Sequence, residues 1–300
     1  MICSICVATY KRPELLKNLL DSLVVQVIPD EVKLEIIIID NDPEGSARDV
    51  YKQFHNIRQV EFSYDVQPIK NISLTRNKAV KKSTGDFLLF IDDDEVAGPD
   101  WVAKILKTII DYEADGVFGR IIAQYNRPIS NWKKKYFMSG FTCPKTGTEA
   151  SDLRTGNCII KASIIKGIAG PFDAAYGTTG GEDRHLFERL KRKGARFINC
   201  FEAWTSEIIP PERTQILWLL KRALRTGNIY TRIMIELEEK NKSWMKLNAI
   251  VKAICFGVIS TILILFMFPS KFWRFHWTSK LASNLGHLFA MIGYYFHGYK

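Results

Sequence analysis

Two short runs, ICSICVA (2–8) and LEIIII (34–39), are apolar at almost every position, the pattern of strands buried on both faces of a sheet. Between them PELLKNLLDSL spaces its leucines at helical intervals, with Pro13 where a helix opens. The alternation continues with strand-like VEFSYDV (60–66), a helix over SLTRNKAVKKSTG with Gly85 expected as its C-cap, and the strand DFLLFID. A helix entered at Pro99 and the strand GVFGRIIAQY follow. Residues 126–160 read as irregular; the basic WKKKYF (132–137) within them reads as a solvated face, with an acceptor-binding insertion as the other reading. Strand-like NCIIKA, the loop DAAYGTTGGEDRH, a helix ending at Gly194, the strand ARFINCFEAW and a long helix from Glu212 to about Asn241 complete this part.

Such alternation predicts an open, Rossmann-like, mostly parallel α/β sheet flanked by helices. Ligands of such sheets gather at the carboxyl ends of the strands. Three polar loops sit there, Thr9–Arg12, Asp40–Asp42 and Asp92–Glu95, and they should converge.

Composition changes the picture mainly at the C-terminus. The 300 residues are 47% apolar, enough for one large domain or a domain with an appendage. Of the net charge of +10, residues 209–300 supply 13 Lys and Arg against 4 acids, while residues 1–208 are nearly balanced. Two runs free of Asp, Glu, Lys and Arg, 253–270 and 281–299, accompany that excess, so the expected partner is a membrane surface, over 250–299, and not nucleic acid. Their lengths, their flanking lysines and arginines and Trp244, Trp273 and Trp277 suit a re-entrant or in-plane hairpin; a helical pair packed on the catalytic domain is the alternative. The expected division is 1–240 catalytic and 241–300 a hydrophobic, membrane-associated helical tail. Six scattered cysteines, Cys143 among them, make no disulfide framework. Cys3 and Cys6 fall three apart in a strand, point to opposite faces and read as buried structural residues. The N-terminus has no secretory leader pattern, so the expected location is the cytoplasmic face of the cell membrane.

The candidate chemistry begins with Asp92, Asp93, Asp94 and Glu95, four adjacent acids directly after a buried strand. Their mutual repulsion calls for a cation, and oxygen-only ligands favour Mg2+ or Mn2+ shared with a substrate phosphate. Strand alternation would put Asp92 and Asp94 on one face and Asp93 on the other. The bland reading is a solvated acidic turn. About ninety residues on, GGEDRH places Glu182 and Asp183 at a helix N-terminus after two glycines, suited either to capping or to a general base.

Taken in order, SICVATYKRPELL, IIIIDNDP, SLTRNKAV, FIDDDE and GGEDRHLFERLKRKG resemble the family 2 inverting glycosyltransferases of the GT-A fold, over about residues 2–225. IDNDP, RTGN (154–157), TGGED and PPERTQILWLLKRALRTG look most like the succinoglycan glucosyltransferase type. The resemblance implies that Thr9, Tyr10 and Arg12 hold the base and diphosphate, that Asp40 contacts uracil, and that Arg76 and Asn77 lie near the nucleotide. It further implies Asp92, with Asp93, on the nucleotide-sugar side, Asp94 on the metal, and Asp183 as the base beside Glu182. Asn157, Gly181 and Arg213 are candidates for contact with donor or acceptor sugar. The QxxRW motif of processive members is absent, which implies single-sugar addition to a lipid-linked or polysaccharide acceptor. A sugar-nucleotidyltransferase and a degenerate sugar-nucleotide binder are the competing readings.

Overall fold

The computed structural model describes residues 1–57, 59–140, 145–238, 242–266 and 269–296. Cys143 and His297 lie outside the described residues, as do the side chains of Trp244 and Lys252. By contacts the chain forms two compact units. One comprises 1–124, 141–177 and 182–208; the other comprises 125–140, 178–181 and 209–300.

The first unit is built on eight strands: β1 Ile2–Thr9, β2 Lys33–Asp40, β3 Glu61–Val66, β4 Phe87–Ile91, β5 Glu95–Ala97, β6 Gly116–Gln124, β7 Asn157–Lys161 and β8 Phe197–Ile208. They form one mixed, mostly parallel sheet in the order β3-β2-β1-β4-β7-β6-β8-β5, with β1, β2, β3 and β4 parallel and β7 antiparallel to both its neighbours. Helices α1 (Pro13–Leu23), α2 (Arg48–Phe54), α3 (Ile72–Lys82), α4 (Trp101–Asp111) and α6 (Glu182–Arg192) belong to this unit. The expected open α/β architecture is therefore present.

The continuous apolar runs have the expected cause. In β2, Ile36 and Ile38 join the core that contains Leu16, Leu19, Leu20 and Leu23 of α1, whereas Ile37 and Ile39 join a second core with Ala79, Val80 and Phe187. A strand covered on both sides has no solvent face to mark with polar residues. Each of these four buried leucines of α1 contributes about 1.5–3 kcal/mol by leaving water. Cys3 lies in the first core and Cys6 in the second, so the pair cannot bond. Burial pushes the Cys3 thiol up to about 12.

Gly85 is not a helix cap. Helix α3 ends at Lys82, and Ser83 turns the chain out with an extended ψ of 138°. Gly85 instead donates its N–H to Ser4 Oγ at 2.8 Å, and a Cβ there would run into Ser4 and the Ile2 carbonyl. The need is close backbone approach, not a positive φ.

Residues 126–160 are less irregular than expected, because α5 spans Asn131–Gly140 in the second unit. Its apolar positions are the aromatics Trp132, Tyr136 and Phe137, whose ring partners include Phe275 in a helix far along the chain. Three intervening lysines hide that spacing in the sequence.

Among the described residues the second unit further contains the helices α7 Ile216–Glu236, α8 Lys242–Phe266 and α9 Lys271–Met291. The sequence put the division near residue 240, whereas α7 packs extensively on α9. Gly227 and Gly286 make this possible, since a Cβ at either would strike a backbone carbonyl of the facing helix, that of Ser283 or Leu224. The polar residues interrupting the last uncharged run are consumed there. Asn284 donates to the Ala253 carbonyl of α8, and His287 Nδ1 lies 2.6 Å from Thr231 Oγ1 of α7. No described helix is long and apolar enough to cross a membrane.

Candidate active site

The three polar loops converge at the carboxyl ends of β1, β2 and β4. Thr9, the last residue of β1, pairs in register with Asp40 of β2 and donates to Asp93 Oδ2 at 2.8 Å. Arg12 Nη1 lies 3.2 Å from both Asp93 and Asp94. Between Thr9 and Arg12 the chain turns sharply, with Lys11 at a φ of 53°, its N–H donating to Ser46 Oγ and its ammonium 3.8 Å from Asp42. Tyr10 presents its ring to the Lys70 ammonium at 4.8 Å.

The four acids divide differently from strand alternation. β4 stops at Ile91, so Asp93 and Asp94 lie in a turn and share Arg12, while Asp92 turns to Arg76. Asp92 is 46% exposed in its side chain and Asp94 18%, against 8% for Asp93. Burial pushes Asp93 up to about 6 against the pull of Arg12 and Thr9, with Asp94 and Asp92 adding to the rise. Glu95, wholly buried, is held well above the usual carboxylate range by burial and then by Asp92. Asp92 and Asp94 are therefore the members open to a ligand, and their oxygens are of the kind that holds a hard divalent ion.

Arg76 ties this cluster to the second acidic motif. Asn71 caps α3 by accepting from Leu74 N at 3.1 Å, and the first turns of that helix set Arg76 almost out of solvent. Its Nη2 lies 3.0 Å from Asp92 Oδ1, its Nη1 pairs with Glu182, and its guanidinium stands 5.9 Å from the Phe172 ring. Gly180 and Gly181 take φ of 86° and 90°, left-handed values that let the loop turn straight into α6, whose first residue is Glu182. Glu182 is buried, and its Oε2 has no hydrogen-bond partner among the described residues. Burial raises its pKa against the opposing charge of Arg76, and Asp183 raises it further. Asp183 is partly exposed and accepts from the Arg184 N–H at 2.6 Å. Burial lifts its pKa too, opposed first by Arg76 and supported by Asp92. Asp183 is thus a partly exposed carboxylate with a raised pKa next to the Arg76–Glu182 pair, a position from which a carboxylate could act as a base.

Several residues implied by the resemblance have other tasks in this structure. Asp40 is closed to solvent, and its oxygens accept from Asp42 N, Ala47 N and Tyr64 OH, so it shapes the 41–47 loop. Asn77 spends both ends of its amide on the Phe172 backbone, donating at 2.7 Å and accepting at 2.8 Å. Asn157 is buried between strands, accepting from Trp101 Nε1 and donating to the carbonyls of Arg120 and Ala203. Gly181 belongs to the second unit, where a Cβ would meet Ile229 of α7. Arg213 lies in a short 3-10 turn, Pro211–Thr214, of the same unit.

The sequence reading missed three contributors. The Thr155 backbone faces Asp183 and draws its pKa down against burial, and the bare Gly156 leaves room for Glu95 Oε1 and Asp92 Oδ2, 2.6 and 3.3 Å from where a Cβ would stand. RTGN was the available signal. Phe172, under Arg76, had none, lying 95 residues from the Asn77 that tethers it.

The family model described as Glycosyl transferase family 2 matches residues 4–167. Over 291 residues the chain is 30% identical to the succinoglycan biosynthesis protein ExoM of Rhizobium meliloti, covering 96% of this chain and 92% of that protein. Among solved structures, the mannosyltransferase PcManGT from Pyrobaculum calidifontis, in complex with GDP-Man and Mn2+, matches with a TM-score of 0.67 at 15% identity, over 97% of this chain and 86% of that one. TarS of S. aureus in complex with UDP matches with a TM-score of 0.54 at 15% identity, over 99% and 93%. These two likenesses concern the fold.

Proposed function

From the premise that this chain belongs to glycosyl transferase family 2, we propose that it transfers one hexose from a UDP-sugar to a hydroxyl of a polysaccharide intermediate, inverting the anomeric carbon. The observation that carries the reading is Arg76, whose guanidinium joins Asp92 at the end of β4 to the Glu182–Asp183 pair at the start of α6. Donor-binding acids and a base are thereby held in one place by a rigid helix, which suits an in-line displacement.

In this reading the β1 loop, with Thr9, Tyr10 and Arg12, receives the nucleotide and its diphosphate. Asp40 acts through the loop that it braces, and Asn77 through Phe172. Asp92 and Asp93 belong to the nucleotide-sugar side. Asp94 would hold Mn2+ or Mg2+, an ion that when bound neutralises the charge growing on the leaving nucleoside diphosphate. Asp183 takes the proton of the acceptor hydroxyl as that oxygen attacks. The UDP complex of TarS and the part of ExoM in succinoglycan biosynthesis support a UDP donor and a polysaccharide acceptor. The acceptor is lipid-linked or otherwise membrane-borne, and the second unit holds the chain on the cytoplasmic face of the cell membrane. The concentration of basic charge in residues 209–300 and the apolar exposure of α8 support that location.

Calorimetry with UDP-, GDP- and dTDP-hexoses in Mn2+ tests the donor. The UDP-sugar should bind tightest, and Asp94→Ala should lower its Mn2+-dependent affinity by about tenfold or more, the loss of a charge-assisted ligand. Preference for a GDP-sugar would overturn the choice of nucleotide, and unchanged affinity in the variant would remove Asp94 from the metal.

A further inference from the structure

We infer that α5 and the first half of α9 form a cationic and aromatic collar that binds the phosphate headgroups of an anionic bilayer, while the exposed apolar face of α8 enters the acyl layer. This deepens the membrane location proposed above and rests on it. The inference gives a function to Lys133, Lys134 and Lys135, which the sequence alone reads as a solvated face.

All the parts lie in the second unit. Helix α5 is fastened to α9 by its aromatic residues: the Trp132 ring lies 5.2 Å and the Tyr136 ring 4.9 Å from that of Phe275, and the Tyr136 hydroxyl is 2.8 Å from Ser279 Oγ. That docking sets Lys135 beside the aromatic end of α9, while Lys133 stands 5.8 Å from the Trp132 ring of its own helix. The Lys135 ammonium stands 4.5 Å from the Phe272 ring and 5.9 Å from that of Trp273. Lys280 continues the arrangement toward α8, 5.7 Å from Trp277 and 5.8 Å from Phe256.

On α8, Leu247, Val251, Ile254, Val258, Ile262 and Leu265 follow one another at steps of three and four, and each is between 46% and 71% exposed. Six large aliphatic side chains left in water along one helix face mark an interaction surface. The occupant is indicated by charge. Residues 125–140 and 240–300 contain no Asp or Glu, yet carry twelve Lys and Arg. An apolar stripe bordered by lysines and indole rings matches the order of layers in a bilayer, acyl chains first and anionic phosphates next. With no described helix long and apolar enough to cross, the fitting mode is a helix lying in the interface.

The test uses the full chain and vesicles of phosphatidylcholine, alone or with roughly one-third phosphatidylglycerol. Flotation should recover the protein with the anionic vesicles far more than with the neutral ones, and added salt should weaken that binding. Replacing the α5 lysines together, Lys133→Gln, Lys134→Gln and Lys135→Gln, should reduce affinity for anionic vesicles by about 100-fold and leave weak binding to neutral vesicles unchanged. Equal binding to both vesicle types would overturn the collar and leave membrane attachment standing. Binding to neither would overturn both. A triple variant that floats like the parent would remove α5. Should that variant misfold, the salt titration of the parent decides, because salt-independent binding is incompatible with a headgroup collar. Tighter retention on single-stranded DNA than on anionic vesicles would also overturn the inference.

Discussion

Asp183→Asn should lower the rate of sugar transfer by roughly 100- to 10,000-fold, the usual contribution of a positioned general base, while donor affinity stays close to that of the parent. The amide keeps the shape and its oxygen can still accept from Arg184 N, but it cannot take a proton. Because burial and Asp92 raise the Asp183 pKa from its ordinary 3.8, the acid limb of the parent's rate profile should lie above that value. The sign follows from the role: the base works ionised, so rate falls as pH drops through the raised pKa. Transfer by the variant at the parent's rate, measured in single turnover, would exclude Asp183 as the base. So would a parent profile flat down to pH about 4.

Arg76→Ala should damage both stability and activity. The guanidinium is almost buried and compensates Glu182, which is more deeply buried still, so its removal leaves a carboxylate without its charge partner. Breaking such a pair costs about 3–5 kcal/mol. Glu182 can escape part of this by protonating, and its pKa is already raised above the ordinary 4.5 by burial. A folded-state pKa above the unfolded one means a stability contribution fully present below about 4.5 and lost as pH rises through the folded value. Arg76→Ala should steepen that loss, and adding Glu182→Gln should recover much of the stability without restoring transfer. Thermal melts across pH measure this directly. Purely additive effects in the double variant would mean that the two side chains do not act as a pair.

How far the site was legible depended on how local its causes were. Asp92, Asp94, Glu182 and Asp183 stand in short motifs whose acid content is itself anomalous, so they stood out as candidates without coordinates. Asp40, Asn77 and Asn157 stand in equally suggestive motifs, yet their side chains are spent on Ala47, Phe172 and Trp101. A polar residue at a strand end serves ligand or fold according to which donors surround it, and those come from distant segments. α5 was hidden for the same reason. Its helical face is completed by Phe275, about 140 residues later, and nothing between Pro128 and Gly140 announces it locally.

What the sequence by itself determined was the layered α/β sheet and the acid content of its carboxyl edge. Strands buried on both faces must be continuously apolar, helices must repeat near every third or fourth residue, and four adjacent carboxylates need a counter-charge wherever they lie. Tertiary structure alone decided that Arg76 joins two acidic motifs 90 residues apart, that Asp93 turns with Asp94 to Arg12, and that α7 packs on α9. Pairings of that kind depend on crossovers that bring remote side chains within a few ångströms, and no local pattern encodes such a distance.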